Sequence, residues 1–246
     1  MKYNRLYNDL VHLWPLFDPV EDYVGEADLW KQVIREKLGP GRHRALDLGV
    51  GGGHLLSHLS SDIWATAIDI SSGMLAHSIS TNPGVEHILD DMRSARLGRS
   101  FKAVLAHDAI SYMLTENDLS AVFATAKAHL DTGGIFVTVP DWYRETFKGT
   151  FVDYRTRINE GKEYTFIKYV TDPNPNDTTL ETIFLYIIKD CGEVYVEEDR
   201  HVTGIFPLNT WIKLLSKEGF DVEVRPYPVY DDDDEGYLIV GRLAYK

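Results

Sequence analysis

Short apolar runs alternate along the first half of the chain with segments of helical periodicity. The apolar runs cover residues 45–48, 64–70, 85–89, 101–107 and 135–139. Helices are predicted at 72–80 and up to residue 130, the second beginning at residues 115–118, which have capping-box spacing. Nearly continuous apolar strands that alternate with helices are typical of a parallel sheet covered on both faces. We therefore expect a doubly wound α/β fold.

The pattern changes between about residues 143 and 206, where β-branched and aromatic runs follow one another. Four runs, at 155–159, 164–171, 179–189 and 194–203, are separated by turn sequences rich in Gly, Pro and Asn, which is typical of an antiparallel meander. A helix at 207–218, ended by Gly219, and strands at 220–226 and 237–244 restore the first pattern. We expect one domain from residues 1–142 and 207–246, with residues 143–206 inserted as a β subdomain.

The first 40 residues are helical and aromatic in character. Pro15 and Pro19 interrupt them, so we expect two helical pieces with an irregular link, the second a helix at residues 26–38. The aromatic side chains of this segment would either pack in the core or form a lid over a pocket that otherwise lies open. The segment is predicted to be an N-terminal helical lid.

Composition and charge narrow the class of protein. With 246 residues, 44% of them hydrophobic, the chain can bury the core of one large domain. A net charge of −13 without a visible basic stripe opposes nucleic acids and anionic membranes as partners. Cys191 is the single cysteine, and no apolar run suits a membrane span or a secretion signal. A cytoplasmic location is expected.

One acidic run raises the question of a metal site. Residues 231–235 are five consecutive acids, which cannot all point at one ion. Because such runs are usually solvated, mutually repelling loops, we expect a loop there and no metal site.

A glycine-rich turn follows the first strand and carries the strongest chemical signal. Its spacing, Asp-x-Gly-x-Gly-x-Gly, is formed by Asp47, Gly49, Gly51 and Gly53. Glycines allow positive φ and close approach of a ligand, and a helix N-terminus after them favours a nucleotide. The dinucleotide fingerprint G-x-G-x-x-G fails, because His54 stands in place of its third glycine. Asp69 ends the second strand, at a spacing where a carboxylate accepts hydrogen bonds from ribose hydroxyls.

These features resemble motif I and the following acidic residue of class I S-adenosylmethionine (SAM) dependent methyltransferases. Within that family the chain is most similar to the small-molecule branch typified by sugar N,N-dimethyltransferases. The similar segments, besides motif I and Asp69, are residues 22–23, 72–75, 91–93, 98–101 and 140–147. The resemblance implies a Rossmann-like sheet of seven strands with the last antiparallel, and an antiparallel β meander on the substrate side.

The resemblance also implies a role for single positions. Asp47, Gly49, Gly51 and Gly53 would surround the methionine part of SAM, and Asp69 the ribose. Asp91 and Met92 would contact the adenine, and His107 would touch the cofactor through its backbone. S-adenosylhomocysteine would be the product.

The acceptor side departs from the family pattern. Tyr112 stands after the fourth strand, where those N-methyltransferases often carry a histidine, so Tyr112, His107 and Tyr23 are the catalytic candidates. Tyr7, Asp108, Trp142 and Tyr143 are the candidates for substrate contact. A sulfonium methyl is already activated, so the protein must align a nucleophile and help an ammonium lose its proton. Aromatic faces with few basic residues favour a small amine or hydroxyl acceptor.

Two other functions stay open at this point. A SAM-binding module without turnover would carry the same motif, whereas a nicotinamide-dependent oxidoreductase is disfavoured by His54. An exposed edge of the meander could pair with a second copy, so a homodimer is a further expectation.

Overall fold

The computed structural model describes residues 4–228 and 236–244, which form two β-sheets and the helices around one of them. Eleven strands occur in chain order: β1 (His43–Leu48), β2 (Ile63–Asp69), β3 (Glu86–Leu89), β4 (Phe101–Ala106), β5 (Leu130–Thr138), β6 (Thr150–Asn159), β7 (Lys162–Thr171), β8 (Thr179–Asp190), β9 (Glu193–Gly204), β10 (Phe220–Tyr227) and β11 (Gly236–Leu243). The larger sheet has seven strands in the order β10-β11-β5-β4-β1-β2-β3, and the smaller has β6 to β9 in sequence order.

Parallel pairing in the larger sheet defines where a ligand can bind. Strand β1 pairs in parallel with both β2 and β4, so the strand order reverses on either side of β1. Ligands of open α/β sheets bind at the carboxyl ends of the strands beside such a reversal. Strand β11 is antiparallel to both β5 and β10, which confirms the expected seven-stranded sheet with its last strand antiparallel.

Within the described residues, six α-helices accompany the sheets: α1 (Trp14–Phe17), α2 (Val24–Leu38), α3 (His54–His58), α4 (Ser72–Thr81), α5 (Glu116–Ala128) and α6 (Leu208–Glu218). The capping box at the start of α5 is present, since the Thr115 side chain accepts from the Asp118 N–H and Asp118 accepts from the Thr115 N–H. Gly219 ends α6 with φ of 97°, a left-handed conformation that suits glycine. None of the described helices has the length and apolar character to cross a membrane.

The inserted meander packs on the N-terminal segment. Side chains of β7 and β8 form a buried cluster with leucines of the first turns and with Trp14. The members of this cluster from the meander are Phe166, Phe184, Tyr186 and Ile188. At the end of β9, a Cβ added to Gly204 would lie 2.0 Å from the carbonyl oxygen of Met113, so the sheet approaches the turn after β4 through bare backbone.

The observed strands extend beyond the apolar runs that predicted them. Strand β6 begins at Thr150, five residues before the predicted run, because its backbone pairs with β7 from Thr150↔Thr171 onward whatever the side chains. Strand β5 likewise begins at Leu130, where it pairs with Phe101 before a bulge. The acidic run at residues 231–235 lies outside the part of the chain that the structure describes.

Candidate active site

A cavity of about 710 Å³ opens at the carboxyl ends of the parallel strands. Its floor comes from the turns after β1, β2, β3 and β4, and its roof from the N-terminal turns and from β7, β8 and β9. The volume lies in the range of small-molecule sites, about 300–1,000 Å³. The N-terminal segment therefore lies against the cavity, as a lid would.

The glycine turn after β1 lines the cavity with backbone. Gly49 and Gly51 have φ of 80° and 56°. A Cβ at Gly49 would lie 2.6 Å from both Met92 Cε and Ala109 Cβ, so a side chain there would collide with the cavity wall. The loop is held by the Gly51 N–H, which donates to Asp69 Oδ2 at 2.8 Å. These two glycines lie where the sequence predicted them to meet a ligand.

Gly53 differs from that expectation, since it does not line the cavity. Its φ is 76°, and a Cβ there would lie 2.3 Å from Asn82 Nδ2 and 2.4 Å from Ser78 Oγ. Asn82 Nδ2 donates to the Gly53 carbonyl at 2.8 Å. The third glycine of the motif thus lets α3 pack closely against α4, and its contact with a ligand is not supported.

Asp47 and Asp69 both end parallel strands and both face the cavity. Asp69 accepts from the Gly51 N–H through Oδ2 and from the Ser71 N–H through Oδ1 at 2.8 Å. Burial raises the pKa of the Asp69 carboxyl, although these hydrogen bonds oppose the shift. Burial also raises the pKa of Asp47, to about 7. Both carboxyls are costly to keep charged, which favours a cationic ligand beside them.

Asp91 and Met92 line the cavity at the end of β3, next to Asp90. Arg93 Nη2 donates to Asp91 Oδ2 at 2.6 Å, and this side-chain bond holds the pKa of Asp91 below its usual value despite partial burial. The Asp91 carboxylate is therefore already paired within the protein. Met92 lies beside Gly49 and provides an apolar wall there.

His107 is held as an ion pair between two carboxylates. Its Nε2 lies 2.7 Å from Glu26 Oε2, and its Nδ1 lies 3.1 Å from Asp108 Oδ1. Burial by itself lowers the pKa of the imidazole, but Asp108 and Glu26 raise it well above the ordinary value. A charged imidazolium has no free lone pair, so this geometry argues against His107 as a proton acceptor.

The Tyr23 hydroxyl is also engaged in a hydrogen bond within the protein. Its hydroxyl donates to Asp18 Oδ2 at 2.5 Å, at the end of α1. Burial raises the pKa of Asp18 to about 7, and the bond from Tyr23 opposes that shift. Both residues line the cavity, where Tyr23 orients the Asp18 carboxyl.

Tyr7 and Tyr112 meet at the roof of the cavity. Their hydroxyl oxygens lie 2.9 Å apart, and Tyr112 Oη lies 2.5 Å from His201 Nδ1. His201 Nε2 lies 2.7 Å from Asp199 Oδ2. His201 and Asp199, which continue this series of hydrogen bonds, belong to β9 and are almost fully buried.

The structure corrects the expectation for Trp142 and Tyr143, which do not line the cavity. Trp142 packs against Phe147 and Phe151 at the base of the meander. The Tyr143 side chain is buried beside Trp211, and its hydroxyl donates to the Tyr237 carbonyl at 2.6 Å. After β5 the chain turns away at once, and the residue left facing the cavity is Asp141.

Several cavity residues were missed by sequence reasoning: Asp18, Asp141, Lys168, Thr182 and His201. Most lie on strands of the meander, whose distance in sequence hides their position. A usable signal existed in β9, where Asp199, His201 and Thr203 alternate along the strand and so share one face. Polar residues on the inward face of an inserted sheet indicate a site.

The comparisons with known proteins agree with this geometry. Residues 45–134 match the family model of a methyltransferase domain. The dTDP-3-amino-3,4,6-trideoxy-alpha-D-glucopyranose N,N-dimethyltransferase of Streptomyces venezuelae is 29% identical over 206 residues, which cover 82% of this chain and 85% of the relative. The dTDP-3-amino-3,6-dideoxy-alpha-D-glucopyranose N,N-dimethyltransferase of Streptomyces fradiae is 27% identical, with coverage of 84% and 80%.

Solved structures share the fold over nearly the whole chain. The crystal structure of DesVI from Streptomyces venezuelae superimposes with a TM-score of 0.82 at 24% identity, covering 94% of this chain and 97% of that one. SAM-bound CalS10, an amino pentose methyltransferase from Micromonospora echinaspora, gives 0.79 at 21% identity, with coverage of 90% and 92%.

The matched methyltransferase domain, the strand order and the glycine turn support a SAM-dependent methyltransferase. The curated relatives to which the chain is similar are sugar N,N-dimethyltransferases, which places it beside the small-molecule branch of that class.

Proposed function

We infer that this methyltransferase transfers a methyl group to an amine of a small polar acceptor, of the amino-sugar type on which its relatives act. The observation that carries this proposal is the charge of the cavity. Seven aspartates line it: Asp18, Asp47, Asp69, Asp90, Asp91, Asp108 and Asp141. A cavity with this charge attracts cations and opposes anions.

Few cations balance these acids. Among the described residues of the lining, Lys168 and Arg93 are the lysine and arginine side chains. Arg93 forms salt bridges within the protein, from Nη2 to Asp91 Oδ2 at 2.6 Å and from Nη1 to Asp118 Oδ1 at 3.3 Å. His107 and the Lys168 ammonium hold the pKa of Asp108 below its ordinary value despite burial. Burial raises the pKa of Asp141, and Lys168 opposes that shift. An amine that enters as an ammonium would find carboxylates around it, whereas a phosphate would meet repulsion inside the cavity.

The residues of the floor fit SAM. The turn at Gly49 and Gly51 presents bare backbone to the cavity, and Asp47 and Asp69 offer carboxylates to a ligand with a net positive charge. When bound, SAM supplies an electrophilic methyl carbon on a sulfonium. The chain itself holds the acceptor in line, and orientation of this kind can supply about 7–11 kcal/mol of the barrier.

The same acids favour an amine over a hydroxyl as the nucleophile. An amine arrives protonated at neutral pH and must lose that proton before it can attack, so the site needs a proton acceptor near the roof. The buried Asp18 carboxyl, whose pKa burial raises to about 7, lines the same cavity and is stabilised in its charged form by a nearby ammonium. A hydroxyl acceptor would gain little from this environment.

A matched panel of acceptors tests the proposal. Amino sugars, the corresponding hydroxy sugars, and the nucleoside-diphosphate-linked form of each are incubated with SAM, and S-adenosylhomocysteine release is measured. We expect turnover of amines and none of the hydroxy sugars. The difference in turnover between the free and the nucleotide-linked form of each sugar measures whether the acidic cavity also repels a phosphate outside it. Turnover of hydroxy sugars alone would overturn the proposal.

We also infer that the chain forms a homodimer through the outer face of the meander. Val152, Tyr154 and Ile158 alternate along the edge strand β6 and are 57%, 73% and 77% exposed. Tyr169 of β7 and Val196 of β9 extend the same face. Four strands of about ten residues present roughly 650 Å² per copy, near the ~800 Å² of a standard interface. A face that is identical on two copies suits a two-fold contact.

A cytoplasmic location stays a prediction of the sequence. Cys191 is free and exposed, so the structure holds no disulfide that would depend on an oxidising compartment.

A further inference from the structure

A line of four hydrogen-bonded side chains runs from the buried edge of the meander into the cavity. Asp199 Oδ2 lies 2.7 Å from His201 Nε2, His201 Nδ1 lies 2.5 Å from Tyr112 Oη, and Tyr112 Oη lies 2.9 Å from Tyr7 Oη. Asp199 and His201 are 0% and 2% exposed. We call these four residues the β9 relay.

The direction of each bond in the β9 relay is fixed by its buried end. Asp199 also accepts the Leu6 N–H through Oδ2 and the Arg200 N–H through Oδ1, each at 2.7 Å. Burial raises the pKa of this carboxyl, but the bonds from His201 and the backbone lower it below the ordinary value. Asp199 is therefore an ionised acceptor, and His201 must carry its proton on Nε2.

The tautomer of His201 determines which group donates in the two remaining hydrogen bonds. His201 Nδ1 has a lone pair and accepts from the Tyr112 hydroxyl, whose oxygen in turn accepts from the Tyr7 hydroxyl. Every hydroxyl of the β9 relay thus points towards Asp199. The oxygen lone pairs that are left over belong to Tyr7 and Tyr112, and both residues line the cavity. A ligand group that donates hydrogen bonds, such as an ammonium, matches this end.

We propose that the β9 relay receives the proton that the acceptor ammonium must lose before methyl transfer, a role that rests on the proposed N-methylation. The ammonium gives one proton to the Tyr112 oxygen, directly or through the Tyr7 hydroxyl, as the Tyr112 proton passes to His201 Nδ1. Both tyrosines stay neutral, and the amine keeps the electron pair with which it attacks. The proton ends on an imidazolium paired with Asp199. It leaves by the same route to water when the product departs.

The tyrosines suit the transfer of a proton because they do not ionise themselves. Burial raises the pKa of both hydroxyls above the ordinary value, with the neighbouring Asp108 and Asp141 adding to the effect. Tyr7 and Phe184 cover the His201 ring, and Tyr112 approaches it from the turn after β4. The two ring nitrogens of His107, which also lines the cavity, already lie 2.7 and 3.1 Å from the carboxylates of Glu26 and Asp108, so His107 does not supply the proton acceptor.

The pH dependence of His201→Gln tests the proton transfer. We expect kcat/KM for an amine acceptor to fall about 10²- to 10⁴-fold at pH 7, the range of a lost general base. The loss should shrink as pH rises towards the pKa of the acceptor ammonium, because solvent then supplies the neutral amine. A merely structural role would give a loss that is the same at every pH, and that result would overturn the proposal.

Three further variants accompany this one: His77→Gln and Tyr186→Phe are controls, and Tyr112→Phe is a second test. His77→Gln alters a histidine that bonds the Val11 carbonyl and does not line the cavity, and it should keep the wild-type profile. Tyr112→Phe breaks the β9 relay and should copy the His201→Gln profile while SAM affinity stays within about twofold. Tyr186→Phe removes a buried hydroxyl of the same sheet that has no hydrogen-bond partner among the described residues. It should change neither the pH profile of kcat/KM nor the affinity for SAM.

The tautomer of His201 gives a readout that needs no acceptor. Side-chain ¹⁵N NMR, assigned by loss of signals in His201→Gln, should show Nε2 protonated and Nδ1 as a hydrogen-bonded acceptor. A proton on Nδ1 would overturn the relay whatever the enzyme turns over. If instead no amine is methylated at any pH while the tautomer is as expected, the proposed acceptor class fails and the relay loses its catalytic role.

Discussion

Asp69 does two things at one position, since it faces the cavity and also fastens the glycine turn through the Gly51 N–H. Asp69→Ala should weaken SAM binding by about 1.5–3 kcal/mol, the range for a hydrogen bond to a charged group. Part of that loss would come from a looser turn. Asp69→Asn keeps one oxygen for the Gly51 N–H and separates the two effects, with calorimetry for affinity and thermal unfolding for the turn. A folded alanine variant with wild-type affinity would remove Asp69 from the cofactor site.

We expect Asp47 to make SAM binding depend on pH. Burial raises its pKa to about 7, so close to half of the carboxyl is protonated at neutral pH. A cationic ligand favours the carboxylate and lowers that pKa, so binding should release protons below about pH 8, and affinity should rise with pH up to that point. Calorimetry at pH 6.5 in two buffers of different ionisation enthalpy measures the release.

The control for that measurement is Asp47→Asn, which keeps the shape of the side chain but cannot titrate. The proton that SAM itself exchanges is common to both proteins, so the difference between them isolates Asp47. An identical proton release in wild type and variant would show that Asp47 does not sense the ligand.

Residues that are close in sequence to a strand end were predictable, and residues brought in by tertiary contacts were not. Gly49, Gly51 and Asp69 follow strands that their own apolar runs define, so their meeting follows from parallel pairing. His201 lies 89 positions from Tyr112, and no local pattern states which face of the meander meets the cavity. Trp142 and Tyr143 follow β5 directly, yet the chain bends before they reach the cavity.

At the scale of elements, the lid rests on the glycine turn through one aromatic ring. A Cβ added to Gly52 would lie 2.0 Å from Trp14 Cζ3, so the ring covers bare backbone. Gly52→Ala should push Trp14 and α1 away from the turn, which weakens SAM binding several-fold through faster dissociation. Overpacking of this kind costs about 1–3 kcal/mol of stability.

Stopped-flow release of SAM and thermal unfolding check this prediction against a second glycine. Gly25 lies in α2 with nothing within 4 Å of its added Cβ. Gly25→Ala should stabilise the helix by about 0.5–1 kcal/mol and leave SAM release unchanged. Equal release rates in all three proteins would show that the Trp14 contact does not hold the lid.

The meander shares buried packing and a hydrogen bond with the N-terminal segment, so it is an integral part of the fold. Its β7 and β8 side chains share a buried cluster with Leu6, Leu10 and Trp14, and Asp199 of β9 accepts the Leu6 N–H. The sequence predicted its four strands and their turns, because alternation and turn residues are local. It could not predict that the sheet would bury its inner face on the N-terminal segment, since that depends on packing between distant parts.

At the scale of the whole molecule, the outer face of the meander predicts the oligomeric state. Tyr154→Lys places a charge on the apolar face, at its most exposed tyrosine, and should convert a dimer to a monomer in light scattering at micromolar concentration. Tyr195→Lys is the matched control, because Tyr195 is an exposed tyrosine on the opposite face of β9. A wild-type monomer, or two variants that behave alike, would contradict the dimer.

The net charge of −13 belongs to the whole chain, but the fold gathers part of it at the cavity. Composition predicted that anionic partners would be disfavoured, but it could not say where the acids converge. The parallel strands β1, β2, β3 and β4 each end near an aspartate of the cavity, so the topology concentrates the charge at one edge of the sheet.

The most direct measurement of the central claim is the fate of a labelled methyl group. SAM with a ¹³C methyl is mixed in a single turnover with excess enzyme and an equimolar pair of acceptors, an amino sugar and its hydroxy counterpart, and the product is observed by NMR. If the enzyme methylates amines, the label appears on nitrogen, with S-adenosylhomocysteine formed in equal amount. Label on oxygen, or label that stays on SAM with every amine offered, would contradict amine methylation.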